Sequence, residues 1–149
     1  MDAQFCSQSG CAFLGKIGMC GIFGYIGSKP AVPILIAGLK RLEYRGYDSA
    51  GICLLENSEL LNCKSPGKIA NLENKILNEK LSLSTLGIAH TRWATHGEPT
   101  EVNAHPHFDC KKEIAVVHNG IIENYQALKS FLTENGHKFV SQTDTEVIS

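Results

Sequence analysis

Apolar and polar residues alternate along this chain in blocks short enough to read as strands and helices in turn. Met19-Cys20-Gly21-Ile22-Phe23-Gly24-Tyr25-Ile26-Gly27 reads as one short apolar strand with a single thiol at its leading edge, Gly21 and Gly24 allowing close approach of neighbouring backbone. Pro30 and Pro33 mark the entry to a helix, and Val32, Leu35, Ile36, Leu39 and Leu42 follow at helical spacing. Lys40 and Arg41 suit the negative pole of that helix. Ile52–Leu55 and Leu60–Lys64 read as two strands of a hairpin turning at Asn57 and Ser58. Ser65-Pro66-Gly67 then breaks the chain, and Ile69, Leu72 and Ile76 form one apolar stripe of a second helix.

Thr85–Trp93 returns to strand, followed by a loop rich in Gly, Pro and His from Ala94 to Asp109. Glu113–His118 reads as a buried strand leading into Asn119-Gly120. Asn124 starts a helix faced by Tyr125, Leu128 and Leu132, and Asn135-Gly136 stops it. Phe139-Val140 reads as a short strand, and Thr143-Asp144-Thr145-Glu146 has capping-box spacing that puts Asp144 at a helix start. The chain reaches Ser149 as that helix begins, so the sequence reads as part of a longer domain.

A net charge of −1 gives no electrostatic reason to expect nucleic acid or an anionic membrane as partner, and no apolar run approaches a membrane span. The six cysteines are scattered without a C-x-x-C pair, which fits reduced thiols in a cytoplasmic protein. His90, His96, His105, His107 and Cys110 lack the spacing of a metal site, so neither metal nor cofactor is expected.

Reactive residue types gather at strand ends and adjoining loops: Cys20, Arg45, Arg92, Trp93, Thr95, His96, Asn119, Gly120 and Asp144. Met19 directly precedes Cys20. Trimming of an initiator methionine at that point would leave a cysteine whose own α-amine, titrating near 8, can serve as its base. Residues 1–19 therefore read as a leader, either a propeptide or, preferably, sequence upstream of the true start; residues 20–149 form the body. Asn119 and Gly120 put a side-chain NH₂ and a backbone N–H side by side, as an oxyanion hole needs. Arg92 suits a carboxylate and Asp144 an ammonium, and an amino acid such as glutamine presents both groups. Each feature also has a plain structural reading: a core cysteine, an Asn-Gly hairpin turn, a solvated arginine and a helix-capping aspartate.

Five stretches carry a resemblance: Cys20–Gly24, the Arg41–Gly51 string RLEYRGYDSAG, His90–His107 (HTRWATHGEPTEVNAHPH), His118–Asn124 and Thr143–Glu146. In these the chain resembles the glutaminase part of the glutamine–fructose-6-phosphate aminotransferases, which are class II glutamine amidotransferases. The resemblance implies an α+β, four-layer αββα sandwich of the N-terminal-nucleophile type, incomplete here because the isomerase domains and the rest of the glutaminase domain are absent. It implies that Cys20 attacks the glutamine side-chain amide, Asn119 and Gly120 form the oxyanion hole, and Arg92 and Asp144 hold the substrate. Thr95 and His96 would lie nearby, and Trp93 on a mobile loop closing over glutamine. In the full-length family members ammonia goes on to convert fructose 6-phosphate to glucosamine 6-phosphate, in a homodimer or higher homo-oligomer. Three alternatives stand beside this: another class II amidotransferase, an inactive fragment or amino-acid-binding domain, and a Cys–His hydrolase using His96 or His118 as base.

Overall fold

The computed structural model describes residues 20–79, 83–94 and 97–149, together with the backbone of 10–16. Five strands form one antiparallel sheet in the order β1-β2-β5-β3-β4. They are β1 (Gly10–Lys16), β2 (Gly21–Gly27), β3 (Ser49–Glu56), β4 (Glu59–Pro66) and β5 (Leu86–Arg92). The helices α1 (Ala31–Lys40) and α2 (Ile69–Glu79) share one face of the sheet. The alternation of β3 decides what they cover: Ala50, Ile52 and Leu54 point into a core with Leu35, Leu39, Ile69, Leu72 and Ala89. Fully burying one such leucine or isoleucine contributes about 1.5–3 kcal/mol.

Local signals in the sequence account for these elements. Pro30 occupies the N-cap of α1, and the Ala31 N–H is tied to the Ser84 carbonyl at 2.7 Å. At the other end Lys40 reaches Glu73 of α2 at 2.8 Å. The β3–β4 hairpin turns at Asn57 (φ 51°) and Ser58 (φ 66°), with Glu56 opposite Glu59. Positive φ at both central residues matches the twist of the flanking strands.

The other face of the sheet is covered by residues 103–107 and by a two-stranded ribbon, β6 (His107–Phe108) and β7 (Ala115–Val116). The helix α3 (Tyr125–Glu134) packs against the turn Thr145–Ile148, which itself contacts both strands of that ribbon, and Leu132 and Phe108 line one small cavity. The order is helix, sheet, sheet, helix, as an αββα sandwich requires. Gly51 is where the two sheet layers meet most closely, since a Cβ there would lie 2.2 Å from the His105 carbonyl oxygen. Gly51→Ala is therefore expected to destabilise the fold by about 1–3 kcal/mol, read as a lower denaturant midpoint.

Two sequence expectations are corrected, and a third holds in place but not in its capping bond. Glu113–His118 is not a buried strand: only Ala115–Val116 pairs, and both residues are half-buried. Its sole ladder partner among the described residues is the two-residue β6, too short to extend the pairing. Phe139-Val140 is not a strand, and Val140 is 78% exposed. Its N–H and that of Ser141 donate to the Glu146 carboxylate, at 2.8 and 2.7 Å, instead of to a neighbouring strand. Asp144 does stand at the N-cap of the last helical element, a short 3₁₀ turn over Thr145–Ile148, but its side chain makes no capping bond.

The helix α3 ends as its sequence implies. Gly136 (φ 91°) follows it, while His137 and Gly136 donate to the carbonyls of Leu132 and Thr133, each at 3.0 Å. Its start differs in detail, because Asn124 sits at the N-cap without a side-chain capping bond.

Candidate active site

Antiparallel pairing brings the reactive residues to one end of the sheet. β2 and β3 both run opposite to β5, so the start of β2, the start of β3 and the end of β5 meet there. The register places Gly21 across from Thr91 and Ser49 across from Arg92. Cys20, which leads into β2, is thereby set beside Trp93, which follows β5. The Trp93 N–H donates to Cys20 Sγ at 3.1 Å. Gly21 permits the approach of the next layer: a Cβ there would lie 2.3 Å from Leu42 Cδ1.

Asn119 reaches the same point from the segment after β7. Its Nδ2 donates to the Cys20 carbonyl at 3.3 Å, and Arg45 Nη1 donates to the same oxygen at 3.4 Å. The Asn119 Oδ1 faces His90 Nε2 at 2.7 Å. Gly120 follows directly and is exposed. Arg92 is 4% exposed and donates to the carbonyls of Gly97 (3.2 Å) and Glu98 (3.3 Å), which ties down the turn after β5. Burial pushes its guanidinium below the ordinary value, and the nearby charges of Asp48, Cys20 and Asp144 oppose this. Asp144 is buried, and its Oδ2 accepts the Ile122 N–H at 2.8 Å, just beyond Asn119-Gly120.

The structure thus brings together Cys20, Arg92, Trp93, Asn119, Gly120 and Asp144. Thr95 and His96 lie outside the described residues. Trp93 is 42% exposed and its indole lies over Gly46 (φ 74°), where a Cβ would come within 3.2 Å of the ring.

Two residues of this region carry more than the sequence disclosed. Asp48 accepts the Ala94 N–H through Oδ2 and the Ser49 hydroxyl through Oδ1 (2.9 Å), fixing the backbone next to Trp93. His90 touches the Asn119 side chain. Asp48 stands in the polar, glycine-rich Leu42–Gly51 stretch, whose density of polar groups exceeds what a surface turn needs. That density was the available signal for Asp48, whereas nothing local marks His90.

The Cys20 thiol is half-buried, and burial raises its pKa. The Trp93 N–H bond opposes the rise, Asp48 adds to it, and Arg92 and Arg45 lower it. The thiol therefore needs a base. Among the described residues no imidazole bonds to Sγ: His90 is bonded to Asn119, and His118 Nδ1 lies 3.3 Å from Thr145 Oγ1. The described histidines thus offer the Cys–His alternative no base in place.

A family model described as a glutamine amidotransferase domain matches residues 76–149. Over 130 residues, 87% of its length, the chain is 58% identical to the glutamine–fructose-6-phosphate aminotransferase (isomerizing) of Clostridium tetani. Over 131 residues it is 59% identical to the enzyme of the same name from Bacteroides thetaiotaomicron. This chain belongs to the glutamine amidotransferases.

The amidotransferase match extends to solved structures. Glutamine phosphoribosylpyrophosphate amidotransferase from B. subtilis, complexed with ADP and GMP, superposes with a TM-score of 0.71 at 31% identity, covering 85% of this chain and 28% of that one. An allosteric regulatory enzyme of purine biosynthesis gives 0.73 at the same identity and coverage. The amidotransferase fold is the N-terminal-nucleophile αββα sandwich, here with a second sheet of two strands among the described residues. The chain spans 21% of the length of the two aminotransferases it matches, and so represents their glutamine amidotransferase part. Among the described residues no helix is long and apolar enough to cross a membrane, and no three His, Cys, Asp or Glu side chains are grouped to hold a metal.

Proposed function

We propose that this amidotransferase domain hydrolyses glutamine through Cys20, and that the observation carrying this is the convergence of Cys20, Asn119 and the end of β5 at one sheet end. The Cys20 α-amine, free once residues 1–19 are absent, takes the thiol proton. Sγ then adds to the carboxamide carbon. The oxyanion that develops is held by the Asn119 NH₂ and the Gly120 N–H. Collapse breaks the C–N bond, the amine's proton goes to the departing nitrogen, and ammonia leaves. Water adds to the remaining thioester with the amine again as base, releasing glutamate and the thiol.

Arg92 binds the substrate carboxylate and Asp144 its ammonium, and Asp144 lies near enough to Arg92 for its charge to act on the guanidinium, which supports placing them around one small zwitterion. Trp93, Thr95 and His96 are assigned to substrate binding with them. The division into a leader, 1–19, and a glutaminase body, 20–149, belongs to the same proposal. β1 is an edge strand, and β2 keeps its pairing with β5 on the other side, which supports a sheet that holds without the leader.

In the whole protein the ammonia converts fructose 6-phosphate to glucosamine 6-phosphate, a reading supported by the names of relatives at 58–59% identity. That protein would be a cytoplasmic homo-oligomer with no nucleic-acid or membrane partner.

Two variants test the site. Asn119→Ala should lower kcat for glutamine hydrolysis by about 10²–10³-fold, the usual loss when one oxyanion donor is removed. Arg92→Lys should act mainly on KM, raising it about 10-fold or more, because lysine loses the two-pronged geometry. Unchanged kinetics in both would remove the assignment.

A further inference from the structure

His90 is buried in the second half of β5, 1% exposed, and is not one of the groups assigned to chemistry above. Its ring stacks on His105 at 4.2 Å between centroids, and His105 meets His107 edge-on at 4.5 Å. His107 Nε2 lies 2.9 Å from Thr143 Oγ1, next to Asp144. This row of imidazoles fills the space between the large sheet and the second layer. Burial holds all three rings neutral, His90 with a pKa of about 4, His107 of about 3, and His105 lower still.

The hydrogen bonds around Asn119 settle which way its amide points. One end lies 3.3 Å from the Cys20 carbonyl oxygen, which only accepts, so that end is the NH₂. The other end is therefore Oδ1, and His90 Nε2 at 2.7 Å must donate to it. A neutral ring with its proton on Nε2 leaves Nδ1 as the unprotonated nitrogen, and Nδ1 has no hydrogen-bond partner among the described residues. Without that donor, rotation of the amide by half a turn would present an oxygen to the oxyanion in place of an NH₂.

We propose that His90 is a positioning residue for glutamine hydrolysis: its Nε2–H locks the Asn119 amide with the NH₂ toward the reacting carbon, and His105, stacked on it, fixes the ring. The inference rests on Asn119 being an oxyanion donor. His90 touches neither substrate nor thiol; it acts through Asn119.

The experiment is a cycle in the full-length protein with glutamine as substrate. His90→Leu should lower kcat about 10–100-fold with KM changed less than about threefold, since loss of orientation weakens a donor without removing it. His90→Gln, whose amide can donate to Oδ1, should recover most of that loss. In an Asn119→Ala background His90→Leu should have no further effect. An equal loss from His90→Leu in both backgrounds, or no recovery with His90→Gln, would overturn the inference and leave the role of Asn119 standing. An Asn119→Ala variant with native kcat would instead remove the oxyanion reading and this inference with it. If His90→Leu fails to fold, ¹⁵N NMR of selectively histidine-labelled native protein gives the answer directly. A proton on Nε2 of His90 is expected, and a proton on Nδ1 would overturn the proposal.

Discussion

Replacing Cys20 by alanine should lower glutamine hydrolysis by roughly 10⁵-fold, the order of loss that follows removal of a covalent nucleophile. The effect should fall on kcat. The groups proposed to bind glutamine, Arg92 and Asp144, are anchored by the Gly97 and Glu98 carbonyls and by the Ile122 N–H, none of which needs the thiol. Glutamine affinity of the alanine variant, measured by calorimetry, should therefore stay within a few-fold of native. Stability should shift by about 1 kcal/mol or less, because Cys20 is only half-buried and its sulfur bonds only to the Trp93 backbone among the described residues. A binding module would keep its whole function after this change. Ammonia release that persists in Cys20→Ala would sink the enzyme mechanism.

The second large effect concerns the amine. With a residue in front of Cys20 its nitrogen is an amide, which cannot take a proton from sulfur. The need is sharpened because burial raises the Cys20 pKa, so little thiolate forms unaided at neutral pH. Protein retaining residues 1–19 should hydrolyse glutamine about 10²–10⁴-fold more slowly than protein beginning at Cys20, the range a positioned general base supplies. The comparison needs one preparation with a protease site placed before Cys20, assayed before and after cutting. Equal rates would point to an imidazole base, with His96 the candidate left open.

Much of this fold is legible in the sequence because its signals are local. Pro30 ahead of Leu35, Ile36 and Leu39 is enough to start and face α1, and Asn57-Ser58 between two apolar runs is enough to turn the β3–β4 hairpin. The Glu113–His118 run misleads for a physical reason: apolar residues state a preference for burial, whereas pairing depends on a partner strand elsewhere in the chain, and β6 offers two residues. Val140 fails as a strand residue because the carboxylate of Glu146, six positions on, satisfies its N–H.

The site divides along the same line. Cys20, Arg92, Asn119 and Asp144 stand out by residue type, since a thiol, a guanidinium, an amide next to glycine and a carboxylate each suggest a chemical task. Asp48 and His90 do not, because their tasks come from contacts across 46 and 29 residues of chain. Those contacts are set by the register that places Ser49 opposite Arg92 and His90 opposite Gly51, and a single sequence carries no record of that register.

The most direct measurement is peptide mapping by mass spectrometry of protein purified from its native source, exposed to glutamine and quenched in acid. Expected is a peptide that begins at Cys20 with a free α-amine and carries a glutamyl group on its sulfur. A glutamyl group on any other residue, or on a Cys20 still preceded by leader residues, would contradict the amine-activated thiol.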